Sequence, residues 1–209
     1  EAAARITAGT VAKKILVYYA AVPIGISAAA IEVAGIPCQP LRLSDEPPAV
    51  IRDTLDKLRR AGDSAGAVIE CRISHVPAGL GEPVFDKLEA ELAKAVLSIG
   101  SVKGIEFGAG FGLARMTGSE ANSAGNNHHG GISGGISDGN DIVFHAAVKP
   151  VPSIAQEQQM QTRNGDSVRY AITGRHDVCL YRRIIPVIEA MAALVLADML
   201  LRQEAAALV

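Results

Sequence analysis

The stretch that most constrains this chain is PVIEAMAALVLADMLLRQ, Pro186 to Gln203, a helix-forming sequence that is apolar almost all round. A helix apolar on every side has to be covered on every side. Its longest charge-free run, Ala190–Ala197, lies between Glu189 and Asp198 and falls far short of the ~18 residues a membrane span needs. The segment therefore predicts a core helix between layers of a soluble protein. No basic-then-apolar leader opens the sequence, and the three scattered cysteines suit a reducing cytoplasm, the expected location.

The rest of the chain supplies candidate layers. Glu1–Leu16 is Ala-rich, with Arg5, Lys13 and Lys14 on a polar side, and reads as a helix. Val50, Ile51, Leu55 and Leu58 follow Pro47-Pro48 at helical spacing, and that helix should stop near Ala61-Gly62. In Ala67–Ile73 the apolar Ile69, Cys71 and Ile73 alternate with Glu70 and Arg72, the pattern of a half-buried strand. Pro83 is expected to open a second amphipathic helix with Phe85, Leu88, Leu92 and Val96 on its inner stripe. Two more strands are expected at Ile142–Val148 and Ser167–Ile172. There is no strict strand–helix–strand rhythm, no internal repeat and no linker. The reading is α+β, with antiparallel sheets packed on helices in a single domain over residues 1–209.

Charge narrows the partners. With 20 basic and 22 acidic residues the net charge is −2, and Trp is absent, which argues against a nucleic-acid surface. Cys38, Cys71 and Cys179 are odd in number and widely spaced, as suits reduced thiols with no metal role. From Gly100 to Gly139 the chain is dense in Gly, Ser and Asn. Gly108-Ala109-Gly110 starts a dinucleotide fingerprint, but Leu113 stands where the third glycine belongs. Ser133 and Ser137 each sit in a G-x-S-x-G frame, a pattern that glycine- and serine-rich runs produce by chance. His128-His129 has no carboxylate or thiol partner nearby, and no metal site is expected. These loops suit an anionic ligand better: glycines admit close backbone approach, Asn122, Asn126 and Asn127 add neutral donors, and Lys149-Pro150 places a charge at a strand end. Gly174-Arg175-His176-Asp177 sets a guanidinium, an imidazole and a carboxylate together. From the residues alone it reads equally as a turn with an internal ion pair.

Longer blocks carry a more specific signal. GDSAGAVIE (Gly62–Glu70), VPAGLGEPVFDKLEAELAKAVLSIGSVKGIEFGAGF (Val76–Phe111), MTGSEAN (Met116–Asn122), GGISGGISDG (Gly130–Gly139), KPVPSI (Lys149–Ile154), GRHDVC (Gly174–Cys179) and the final apolar helix resemble chorismate synthases, in that family's order. The resemblance implies helices sandwiched between antiparallel β-sheets, a homotetramer, and a lyase of aromatic amino-acid biosynthesis. That lyase eliminates phosphate from 5-enolpyruvylshikimate 3-phosphate, in the shikimate pathway, to give chorismate. It also implies reduced FMN, with NADPH associated with that flavin. Carried over by motif, FMN contacts fall on Ala121, Asn122, Gly134, Lys149, Pro150, Val151, Pro152, Ser153 and Arg175, and the catalytic groups on Asp177 and its neighbour His176. The resemblance begins inside the family's R-E-T helix, with Ala2 for Thr, downstream of the family's two histidines, Arg-rich loop and R-S-S motif. The segment after GSEAN is shortened at Ser123-Ala124-Gly125, His129 replaces a small residue, Val178 replaces Pro, and Tyr181-Arg182 alters the next turn. These departures leave, as the alternative, an inactive fragment that keeps the fold and the oligomer.

Overall fold

A computed structural model describes residues 1–123 and 125–207; the junction expected at Ala124 lies in part outside the described residues. In chain order the elements are α1 (Ala2–Tyr19), β1 (Gly25–Val33), β2 (Ile36–Leu41), α2 (Ala49–Ala61), β3 (Ala67–Ser74), α3 (Leu88–Leu97), β4 (Val102–Phe107), α4 (Gly118–Ala121), β5 (Ile132–Ser133), β6 (Ile136–Ser137), β7 (Ile142–Val148), β8 (Gln158–Gln161), β9 (Ser167–Tyr170) and α5 (Tyr181–Ala207).

Five strands form one antiparallel sheet in the order β2-β1-β3-β7-β4. Its middle follows from alternation. Ile69, Cys71 and Ile73 of β3, with Ile142, Phe144, Ala146 and Val148 of β7, all point to one buried face. Glu70, Arg72 and His145 line the other face, where His145 Nε2 sits 3.2 Å from Glu70 Oε2 and its Nδ1 3.7 Å from Glu106. Burying each large aliphatic or aromatic side chain of that inner face contributes roughly 1.5–3 kcal/mol.

α5 covers the inner face and is itself covered by α1 and α3, so the expected α+β antiparallel class holds with these three helices on one side of the large sheet. Ile185, Ile188, Ala192, Ala193 and Leu196 of α5 are buried. The helix passes the length and composition test for a membrane span, with a mean hydropathy of 2.2, yet 67% of that window is buried in the fold. Close approach of α1 depends on Gly9: a Cβ there would lie 2.4 Å from the Ala190 Cβ and 2.5 Å from its Cα. Lys13 Nζ bonds Glu189 Oε2 at 2.9 Å, and Glu189 Oε1 accepts the Ala28 N–H at 3.0 Å, so the one acidic residue on the upper half of α5 is satisfied.

Four expectations need correction. α3 starts at Leu88, not Pro83, because the backbones of Glu82 and Asp86 pair with each other (2.9 and 3.0 Å), leaving Phe85 88% exposed. α5 starts at Tyr181, not Pro186, and Pro186 sits in its second turn, where it leaves the Arg182 carbonyl without its intrahelical donor. The strand expected at Ser167–Ile172 forms but ends at Tyr170, as β9 of an exposed two-stranded hairpin with β8. Finally, Val187, Met191, Leu194, Val195 and Leu200 lie on more than one side of the helix and predict more apolar surface than one helix–sheet contact can cover, hence a homo-oligomer; within one copy Val187 and Leu200 are buried and the other three are half-buried against the core.

Candidate active site

α2 ends at Gly62, whose φ of 68° gives the left-handed turn that stops a helix and releases the chain into Asp63–Gly66. That short loop joins two other segments. Ser64 Oγ donates to the Val151 carbonyl at 2.7 Å, and the Ala155 N–H donates to Gly62 at 2.9 Å, which fixes Lys149–Ile154 on one side. The Ala65 N–H donates to the Val178 carbonyl at 2.8 Å, which fixes Gly174–Cys179 on the other. Gly66 has no room for a side chain, since a Cβ would stand 2.5 Å from the Val148 carbonyl and 3.3 Å from Pro150 Cδ. Asp63–Gly66 is thus a clasp between the KPVPSI and GRHDVC segments. Reading the sequence did not reveal this role; the signal was a serine between two glycines directly after a helix stop.

Beside the clasp opens a cleft of about 430 Å³. Arg175, His176 and Asp177 line one wall, Arg52, Leu55, Asp56 and Arg59 of α2 the other, and Glu46 and Arg182 also face it. Asp177 does not pair with Arg175. Its Oδ2 lies 2.7 Å from Arg183 Nη1, which orients the carboxylate from the first turn of α5. His176 Nε2 lies 3.0 Å from the Ile172 carbonyl. A carbonyl only accepts, so Nε2 carries a proton and, in the neutral ring, Nδ1 is the free acceptor. Arg182 is held by Tyr181 Oη at 3.0 Å and by the Asp45 carbonyl at 2.8 Å, and the Tyr181 bond raises its pKa. Arg175 and Lys149 have no ion-pair partner among the described residues.

The sequence-predicted residues fall into two groups. Lys149, Pro150, Val151, Pro152, Ser153, Arg175, His176 and Asp177 gather at the end of the sheet where β7 finishes. Ala121, Asn122 and Gly134 sit at the end where it begins, about 20 Å away for a strand of 7 residues at ~3.3 Å each. There, Thr117 caps α4, its Oγ1 accepting from the Glu120 N–H, while its own N–H at 2.7 Å and its hydroxyl at 2.8 Å donate to Glu120 Oε2 and hold that carboxyl below its usual range. Gly134 and Gly135, with φ of 64° and 91°, make the two-residue turn between β5 and β6.

The decoy motifs take structural roles. Ser137 is buried, donating to the Pro77 carbonyl at 2.6 Å and accepting from the Leu80 N–H at 2.9 Å, and both G-x-S-x-G serines lie at the opposite sheet end from His176. Gly108 serves a tight turn, where a Cβ would stand 2.1 Å from the His128 carbonyl. Among the described residues no three His, Cys, Asp or Glu side chains converge as metal ligands.

The donor set at the β7 end fits a phosphate-bearing group such as FMN: Arg175 on the cleft wall, without an ion-pair partner among the described residues, and a half-buried Lys149 directly after a strand, outside the cleft lining. The Ala121, Asn122 and Gly134 set does not reach that cleft within one copy.

The chorismate synthase family profile matches residues 1–201. The chorismate synthase of Lachnoclostridium phytofermentans is 52% identical over 71% of this chain and 44% of its own length. That of Nitratidesulfovibrio vulgaris strain DP4 is 50% identical over 86% of this chain and 52% of its own, and that of Syntrophus aciditrophicus 45% identical over 100% and 64%. A chorismate synthase crystal structure superposes with a TM-score of 0.75 at 26% identity, covering 97% of this chain and 63% of that one. The chain spans roughly half to two-thirds of the length of these relatives. Profile, relatives and fold together place the chain in the chorismate synthase family.

Proposed function

We propose that the chain carries out the family's 1,4-elimination, releasing phosphate from 5-enolpyruvylshikimate 3-phosphate to form chorismate, with the chemistry centred on the cleft between α2 and Arg175–Asp177. The observation that carries this reading is that one clasp brings KPVPSI and GRHDVC, far apart in sequence, to the same end of the sheet. Lys149 to Ser153 and Arg175 are the residues that would hold FMN. Reduced FMN supplies electron density that the departing phosphate demands and no side chain can provide.

The chain's own residues do the rest. In the elimination the C–O bond to phosphate breaks, a C–H bond breaks, and a new double bond forms, so phosphate and one proton leave. The guanidinium groups that line the cleft stabilise the charge on the leaving phosphate and on the substrate carboxylates. Asp177, oriented by Arg183, is the carboxylate placed to take the proton. His176 Nδ1 is the second acceptor, its ring fixed by the Ile172 carbonyl. No observation favours an inactive remnant.

The reading extends to a homotetramer in the cytoplasm, with NADPH as the source of flavin electrons. The support for assembly is now the separation of the two flavin-motif groups: a site using Asn122 and Gly134 together with Lys149 and Arg175 draws on two copies. Titration of FMN tests the site. Lys149→Ala is expected to bind about ten-fold more weakly, as for loss of one charge-assisted contact of ~1.5 kcal/mol. Unchanged affinity in a folded Lys149→Ala protein overturns the assignment.

A further inference from the structure

The cleft has a wall that the flavin motifs do not supply. Arg52, Leu55, Asp56 and Arg59 follow one another at helical spacing along one face of α2 and line the cleft opposite Arg175, while Ile51, on another face, is fully buried. The chain as a whole carries more acid than base, yet the lining holds four guanidiniums against three carboxylates. Two of those carboxylates are already engaged, Asp56 with Arg59 and Asp177 with Arg183. Arg182 is tied to Tyr181 and to the Asp45 carbonyl, and the third carboxylate, Glu46, acts on it electrostatically. Arg52 and Arg175 remain without an ion-pair partner among the described residues, and both line the one cleft, the first from α2 and the second from the GRHDVC segment.

Arg52 has no evident structural task. It lies in the first turn of α2, where a cation opposes the helix dipole, and no acidic residue occupies that turn to offset it. Arg59, in the last turn, suits the dipole and its Asp56 partner and needs no ligand to explain it. The clasp that follows α2 fixes the helix to both the KPVPSI and GRHDVC segments, so Arg52 is held at the site by the same residues that build it.

We propose that Arg52, supported by Arg59, is a phosphate-monoester contact of this cleft, gripping from the α2 side the anion that Arg175 meets from the other. The inference rests on the functional reading above, in which both the flavin and the substrate carry such a phosphate.

Calorimetric titration of FMN, riboflavin and 5-enolpyruvylshikimate 3-phosphate into wild type, Arg52→Gln, Arg52→Gln/Arg59→Gln and Arg175→Gln tests it, with Arg169→Gln on the β8–β9 hairpin as a control and circular dichroism to check folding. Arg52→Gln is expected to weaken one phosphate-bearing ligand roughly three- to ten-fold, somewhat less than a buried contact because the side chain is exposed. Loss confined to FMN, with riboflavin unaffected, assigns the flavin phosphate. Loss confined to the shikimate ester assigns the substrate phosphate. If both Arg52 variants bind all three probes as wild type does while Arg175→Gln binds weakly, the inference fails and the site reading stands. If Arg175→Gln is also unaffected, both fail.

Discussion

Gly66→Ala tests the clasp with a single methyl group. Gly66 carries no left-handed φ, so the substitution adds no backbone strain of its own. What it adds is a Cβ 2.5 Å from the Val148 carbonyl oxygen and 3.3 Å from Pro150 Cδ. A relaxed carbon–oxygen contact is about 3.3 Å, so the strand end must retreat by roughly 0.8 Å. It cannot do so freely, because Ser64 Oγ holds Val151 at 2.7 Å and the Ala65 N–H holds Val178 at 2.8 Å. Forced repacking of this kind costs about 1–3 kcal/mol, which in a domain of this size lowers Tm by roughly 2–12 °C. The displaced Pro150 lies in the segment proposed to hold FMN, so flavin affinity should fall with stability. Gly104→Ala is the matched control: its Cβ meets only the Ala147 Cβ, at 3.5 Å, an ordinary contact worth within about 0.5 kcal/mol. Thermal melts by circular dichroism and FMN titrations of both variants suffice. A Gly66→Ala protein that melts and binds like wild type refutes the clasp.

Two further outcomes concern the core. Gly9→Ala puts a methyl 2.4 Å from the Ala190 Cβ, so it should destabilise by about 1–3 kcal/mol in denaturant melts, although alanine is the better helix former; a stabilised variant would contradict the close α1–α5 crossing. Cys71 is fully buried in the sheet and burial pushes its thiol pKa upward, so at pH 8 a thiol reagent should modify the half-buried Cys38 and reach Cys71 only on unfolding; rapid labelling of Cys71 in the native protein would contradict that placement.

What the sequence disclosed and what it hid follow physical lines. β3 was legible because Ile69, Cys71 and Ile73 alternate with Glu70 and Arg72 on the free face, and β7 as a short, largely apolar run. β1 was not, since GISAAAIEV is built largely of alanine and shows no period. β4 was hidden inside a Gly-rich stretch. The start of α3 was misplaced because the Glu82–Asp86 backbone pair is a local tertiary closure that no periodicity announces. At the site, GRHDVC and KPVPSI were readable as blocks, but their meeting was not, because it depends on antiparallel β3 beginning where β7 ends. The pairing of Asp177 with Arg183 rather than Arg175 depends on where α5 begins, five residues before Pro186. The separation of Asn122 and Gly134 from Lys149 is likewise a matter of strand direction, invisible in motif order.

The account stands most directly on turnover. Under anaerobic conditions, with 5-enolpyruvylshikimate 3-phosphate and reduced FMN, the protein is predicted to release phosphate and chorismate in equal amounts, and to release neither with oxidised FMN alone. Asp177→Asn should keep the wild-type melting temperature to within a few degrees and lose about a hundred-fold in rate, as for removal of a positioned proton acceptor. Phosphate release independent of reduced flavin, or an Asp177→Asn protein that turns over at the wild-type rate, would contradict the placement of the chemistry in this cleft.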